Sequence, residues 1–424
     1  VWTGDEMIVW GGTTSRLGLP TDRQQSGARY SPRDDLWLAT AFPSPAGRIL
    51  HAAHWTGTHM LVWGGQGFKR FSPLFLGDGF LYDPVLDTWA AISNVGAPSS
   101  RVLFASVWTG REMIVWGGWE SGMQVADGGR YDPVLDLWQP VSTVGAPRAR
   151  TGHVFTWSGN EMIVWGGRSH DLSGLNNPVS AYTDTGGRYD PLADAWQPMT
   201  TTEAPAPRSG ATAVWAGNEM IIWGGEITDL SDPNNPVSVS MDTGGRYDPL
   251  VDTWRPTTTE FAPTPRLIHS AVWTGREMIV WGGIANPLEG PRLGTGGRYD
   301  PASDSWRPVA HQGAPSARSH HATVWTGQEM IIWTGWLEAP PVFPPPPSGA
   351  RYDPYLDRWS AMSTDGAPPV APGAGAVWTD GAMIVWGTGW ETVSGGGVYS
   401  GRPTGGRYGV RVRGAPDGDR DGYH

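Results

Sequence analysis

Apolar positions along the chain come in short bursts separated by polar turns, and no periodic stretch lasts long enough for a helix. One unit shows the pattern. "VW" (107–108) passes through the polar "TGRE" (109–112) into the apolar run "MIVW" (113–116), which a double glycine closes. A loop then leads to "RYDPVLDLW" (130–138), where a turn on "DPVLD" separates two further apolar bursts. Runs rich in Val, Ile, Trp and Tyr, bounded by Gly, Pro and Asp, predict short strands joined by turns. "MIVW" is apolar on both alternating faces, as expected of a strand covered on both sides. A helix would need ten or more residues of 3.6-residue periodicity, and none is present.

The pattern repeats. "VWTGREMIVWGG" stands at 107–118 and again, letter for letter, at 272–283. The first Trp of the motif recurs at 2, 55, 108, 157, 215, 273, 325 and 378, with a second Trp always eight residues later. Tyr and Trp of the "RYDP" motif lie seven apart in seven units. Of 26 tryptophans, only Trp119, Trp336 and Trp390 fall outside this scaffold. Four antiparallel strands recurring every fifty or so residues describe a blade, and a ring of blades is a β-propeller.

The apolar strand ending in double glycine ("MIVWGG") and the spaced Tyr and Trp ("RYDPLVDTW", 246–254) resemble the kelch repeat of bacterial type. The likeness runs over residues 1–408; WD40 repeats fit less well, because the period is too long and no Trp-Asp strand endings recur. The expected fold is therefore an all-β kelch-type propeller over 1–413 with eight four-stranded blades, near 1–40, 47–92, 100–141, 149–199, 207–257, 265–309, 317–362 and 372–413. Its last outer strand is missing or irregular, since "GGRY" (405–408) is not followed by "DP…W". The alternative is seven blades with a leftover hairpin. Galactose oxidase shares this family, but its copper site needs a cysteine, and this chain has none. Other members of the family act on sialic acid or related sugars; no motif here carries their residues over.

Strand alternation places the first-to-second and third-to-fourth turns on one face. The second-to-third loops and the fourth-to-first connections lie on the other. Trp and Tyr spacings are fixed elsewhere, apart from one 18 among the 19-residue fourth-to-first distances (Trp37 to Trp55), but from the second-strand Trp to the following Tyr they run from 15 to 24 residues. Nearly all the length variation sits in one loop class, which makes that face the candidate for binding.

Composition narrows the function. The 424 residues include 60 Gly and 38 Pro, carry a formal charge of −11 and contain no Cys. No basic stripe invites nucleic acid. Disulfides, cysteine nucleophiles and thiolate metal sites are excluded. No apolar run reaches the roughly 18–20 residues of a membrane span. The chain opens on Val1, so a processed or cut N-terminus is expected. The scaffold itself is expected to be exported, periplasmic or extracellular, and monomeric.

Candidate chemistry is sparse. His51, His153, His269 and His321 occupy equivalent inner-strand positions in four blades spread round the ring, which favours packing over a metal site. The Asp pairs of "YDPVLD", such as Asp132 and Asp136, recur in nearly every blade, so they read as turn chemistry, not an acid–base pair. The tail 414–424 is acidic, and Asp417, Asp419 and Asp421 resemble the opening of a calcium loop that needs further ligands. No other cofactor is expected. "PPVFPPPPSG" (340–349) favours polyproline II and reads as a spacer.

Two sets of side chains stand out. Antiparallel second and third strands bring Glu112 beside Arg130, Glu161 beside Arg188, Glu219 beside Arg246, Glu277 beside Arg298 and Glu329 beside Arg351, as structural pairs. On the variable face, Trp119, Trp336 and Trp390 each follow a second strand directly. The loops 168–185 and 226–243 share "DLS…NNPVS…DTGG" and contribute Asp171, Asn176, Asn177, Asp229, Asn234 and Asn235. Aromatic platforms beside amides and carboxylates suit a protein or glycan ligand. The expected function is non-enzymatic binding through this face; the alternatives are a carbohydrate-active enzyme or a purely structural cell-surface module.

Overall fold

The computed structural model describes residues 1–16, 19–23, 25–69, 72–171, 179–229, 237–287, 290–338, 348–364, 374–379, 382–393 and 396–409. All regular structure in it is β. The third blade sets the type: an inner strand Ala105–Trp108, a second Met113–Trp116, a third Gly128–Asp132 and an outer Leu137–Pro140. They pair antiparallel in chain order, with Trp116 opposite Gly128 and Tyr131 opposite Trp138. All four residues of the second strand are buried, because sheets cover it on both sides.

Six sheets have four strands, and the opening sheet has three: Met7–Trp10, Gly27–Ser31 and Leu36–Ala39. Trp2 bridges Met7 as a rudiment of its inner strand. Together these make seven blades, which corrects the expectation of eight. The C-terminal strands Gly375–Thr379, Ala382–Val393 and Gly396–Gly409 form a three-stranded sheet dominated by one long hairpin. The reason is local. Without "DP…W" after Tyr408, nothing turns the chain into an outer strand. This sheet packs against the seventh blade through Met383 and Val385, and against the first through Ile384, Met7 and Tyr30. The tail 414–424 lies outside the described residues.

The core is a set of seams between blades. Ile114 and Trp116 of the third blade share one buried cluster with Met162, Val164, Tyr189 and Trp196 of the fourth. In the first six blades the second-strand Trp meets the outer-strand Trp of the next blade: Trp63 and Trp138 at 5.4 Å between ring centroids, Trp116 and Trp196 at 5.1 Å, Trp281 and Trp359 at 5.5 Å. Such pairs add about 0.5–1.5 kcal/mol each beyond the area they bury.

Backbone contacts repeat across the same seams. The second glycine of the pair donates to the carbonyl of an arginine in the next blade, as Gly65 does to Arg101 at 3.0 Å and Gly167 to Arg208 at 2.7 Å. At Gly65, φ is +97° and a Cβ would lie 2.6 Å from the Ile49 carbonyl oxygen, so only glycine fits.

Candidate functional site

The turns on the constant face are structural. In each "DPxxD" turn the first Asp accepts amides within the turn, as Asp132 Oδ1 does from Val134 at 2.9 Å. The second Asp adopts positive φ and joins two blades. Asp136 Oδ1 accepts from Tyr131 OH at 2.7 Å and from the Ser93 amide of the preceding blade at 2.8 Å.

The glutamate–arginine pairs lie beneath this face. Glu112 is 3.6 Å from Arg130, Glu161 3.4 Å from Arg188, Glu219 3.8 Å from Arg246, Glu277 3.9 Å from Arg298 and Glu329 3.3 Å from Arg351. Glu6 and Arg29 form the same pair at 3.5 Å in the first blade. In the second blade, where both residues are lost, His59 lies 3.6 Å from Asp83. Burial raises the Glu112 and Glu219 carboxyls, against the pull of Arg130 and Arg246. A partner that sequence reasoning missed is the carbonyl of the next blade's turn proline: Arg130 donates to Pro191, Arg188 to Pro249 and Arg246 to Pro301.

A second set of arginines was also missed. Arg48, Arg101, Arg150, Arg208, Arg266 and Arg318 are buried to 1% exposure or less. Arg150 Nη1 donates to the Gly166 and Thr185 carbonyls at 3.0 and 2.7 Å, and Nη2 to Thr185 Oγ1 at 2.9 Å. Arg48 and Arg101 additionally meet Asp78 and Asp127, each at 3.0 Å. Desolvation lowers Arg150, Arg208, Arg266 and Arg318 to about 10. The signal was present in the sequence: each stands seven residues before its inner-strand Trp.

The inner-strand histidines do not converge. His51, His153, His269 and His321 lie edge-on to Trp10, Trp116, Trp223 and Trp281 of the preceding blade. Burial lowers His51 to about 4 and the other three to about 3, so all are neutral packing groups. Among the described residues no three His, Asp or Glu side chains gather as a metal site.

The variable face carries a crown of loop hairpins. Gln66–Lys69 pairs with Ser72–Phe75, Trp119–Glu120 with Met123–Gln124, Arg168–Asp171 with Val179–Tyr182, and Glu226–Asp229 with Val237–Ser240. Each is pinned to its own blade by a bridge to the segment leading into the inner strand: Ile49 to Gln66, Val102 to Trp119, Thr151 to Arg168, Ser209 to Glu226. Side chains fasten neighbouring hairpins to one another. Gln124 Nε2 donates to Thr151 Oγ1 at 3.0 Å and to the Arg168 carbonyl at 2.8 Å. Arg168 lies over the Tyr182 ring at 4.7 Å and pairs with Glu226 at 2.5 Å. Further round, Glu338 accepts the Arg292 amide and lies 3.7 Å from its guanidinium.

The structure places Trp119 half-buried at the base of a hairpin and Trp336 at 36% exposure, its strand paired with Arg318–Ser319. Trp390 pairs with Tyr399 through the backbone; its side chain lies outside the described residues. The backbones of Asp171 and Asp229 end the first strands of their hairpins. Asn176, Asn177, Asn234, Asn235, Asp417, Asp419 and Asp421 lie outside the described residues.

The ring of blades has counterparts among known proteins. The model of the KLHDC2/KLHL20/DRC7 Kelch-repeats domain matches residues 1–185 and 103–239, more than half the chain. The chain belongs to the kelch-repeat family. It is also similar to host cell factor of Drosophila melanogaster, 25% identical over 147 residues, and to host cell factor 1 of Homo sapiens and Rattus norvegicus, each 29% identical over 145. These matches cover 32% of this chain and 10% of the Drosophila protein, and 31% of this chain and 7% of each mammalian one. No helix among the described residues is long and apolar enough to cross a membrane.

Proposed function

We propose that the chain is a protein-binding scaffold whose docking surface is the crown of second-to-third-strand hairpins. One observation carries this reading: the elements that differ most between blades stand side by side on one face, tied by Gln124, Arg168 and Glu226 into a continuous wall. The ring below holds them still, so little ordering entropy is lost on docking. Exposed aromatic and apolar groups on the crown, Met123 in the third blade and Trp336 in the seventh, suit the centre of a protein interface. Membership of the kelch-repeat family and the similarity to host cell factors support a scaffold.

The test is paired surface mutation. Partners captured by the wild-type chain should be lost by the double variant Trp336→Ala and Met123→Ser, and kept by Arg111→Ala and Arg276→Ala on the opposite face. Capture that survives the first pair and fails with the second would place binding on the constant face. A glycan array run beside it settles the carbohydrate alternative: retention of sugars by the wild-type chain, lost with Trp336→Ala, would replace a protein ligand with a glycan.

A further inference from the structure

At the crown side of the axis, the second, third and fourth blades line an open cavity of about 310 Å³. Leu50, Leu103, Phe104 and Phe155 form its apolar walls, and His54 and Ser106 its polar part. Nothing lining it carries a formal charge at neutral pH: burial holds His54 at about 4, and its Nε2 lies 2.6 Å from Ser106 Oγ. The inner-strand positions equivalent to His54 in the following blades hold Val107, Thr156, Val214, Val272 and Val324, so a histidine at this position is peculiar to one sector. The other His–hydroxyl pairs between neighbouring inner strands, His269 with Thr212 and His321 with Ser270, use a histidine three positions earlier.

The backbone at the cavity mouth is unusual. Leu50 and Leu103 have φ of 55° and 56°, a region that leucine rarely adopts, and each is 51% exposed. The equivalent positions in the fourth and fifth blades are Gly152 and Gly210, with φ of 64° and 66°. Glycine therefore satisfies the fold there without strain. Two leucines are held in a costly conformation and left in water where they rim the cavity, and strain of this kind clusters at functional sites. Ile268 and His320 share the backbone geometry in the sixth and seventh blades, so it is the cavity that distinguishes the leucine pair.

We propose that this cavity receives one uncharged aromatic side chain of a protein partner, inserted end-on at the mouth of the channel. Its volume is at the small end of ligand pockets, which span about 300–1,000 Å³. The rings of Phe104, Phe155, His51 and His54 offer edges and faces to an entering ring. The His54–Ser106 pair supplies a hydrogen-bonding group for an indole N–H or a phenol. The inference rests on the protein-binding reading of the crown and names the anchor that the crown would surround.

The probe is N-acetyl-tryptophanamide, compared by saturation-transfer NMR with N-acetyl-leucinamide and N-acetyl-glycinamide on the full chain. The tryptophan amide should bind, the leucine amide more weakly and the glycine amide not at all. The double variant Leu50→Gly and Leu103→Gly should lower tryptophan-amide affinity about tenfold by removing apolar contact. Its melting temperature should not fall, since glycine fits the positive φ. Phe155→Ala should weaken binding in the same way. Equal transfer from all three amides, no transfer from the tryptophan amide, or undiminished binding by the glycine variant would overturn the assignment. No partner is needed, so failure here removes the pocket and leaves crown docking to its own test.

Discussion

Asp136 Oδ1 accepts the backbone amide of Ser93, in the preceding blade, at 2.8 Å, while the same oxygen takes the Tyr131 hydroxyl at 2.7 Å. One carboxylate therefore closes a turn and staples two blades. Asp136→Ala removes both hydrogen bonds and puts alanine at φ 50°. It should cost about 2–3 kcal/mol, the range for a charge-assisted bond with strain added. Asp136→Asn keeps an acceptor and tolerates the conformation, so it should cost about half as much or less. Urea denaturation of the two variants checks the order; equal losses would show that the staple contributes nothing.

Glu112 is partly buried beside Arg130, and burial raises its carboxyl above the ordinary value. A folded-state pKa above the unfolded one means that stability is gained on protonation: full below about pH 4.3, and lost as pH rises through the folded value. Relative to Glu112→Gln, the wild-type chain should gain stability as pH falls from 7 toward 4. At neutral pH Glu112→Gln should change stability by about 1 kcal/mol or less. Arg130→Ala should cost more, because it also abandons the Pro191 carbonyl and Gln139. Denaturation midpoints measured at several pH values test the sign.

How far could these contacts be read beforehand? Strand type, blade period and the Glu112–Arg130 neighbourhood are local in sequence or follow from antiparallel pairing, so spacing alone exposes them. Contacts between blades are different: Arg130 and Pro191 lie 61 residues apart, and no alternation rule connects them. Arg150 did leave a trace, since its spacing to the inner-strand Trp never changes, but a buried cation held by carbonyls runs against the usual expectation for arginine. The blade count was misjudged because "AMIVWG" specifies a good second strand whether or not an outer strand follows; that depends on a turn motif absent after Tyr408. Side-chain exposure of Trp119 and Trp336 was never in the pattern, because both depend on how neighbouring hairpins fold over them.

His153 has both ring nitrogens buried, and among the described residues neither has a hydrogen-bond partner. Its pKa is lowered to about 3 by burial and by nearby Arg150. With the folded value depressed, the wild-type chain loses stability as pH falls from about 6.5 toward 3, up to tenfold in the folding equilibrium per pH unit. His153→Phe, matching Phe104 at the equivalent position, should be near neutral at pH 7 and more stable than wild type at pH 4. A wild-type chain that resists acid as well as this variant would contradict the neutral, unpaired imidazole.

The central claim is that the crown is where a protein docks. Hydrogen exchange on the chain with and without a captured partner tests it most directly, because the two faces report separately. Binding should protect the crown hairpins at 66–69, 119–124 and 226–229 and the rim around Leu50 and Leu103, while the opposite turns at 109–112, 158–161 and 274–277 exchange as before. Protection confined to those turns, with the crown unchanged, would contradict the account.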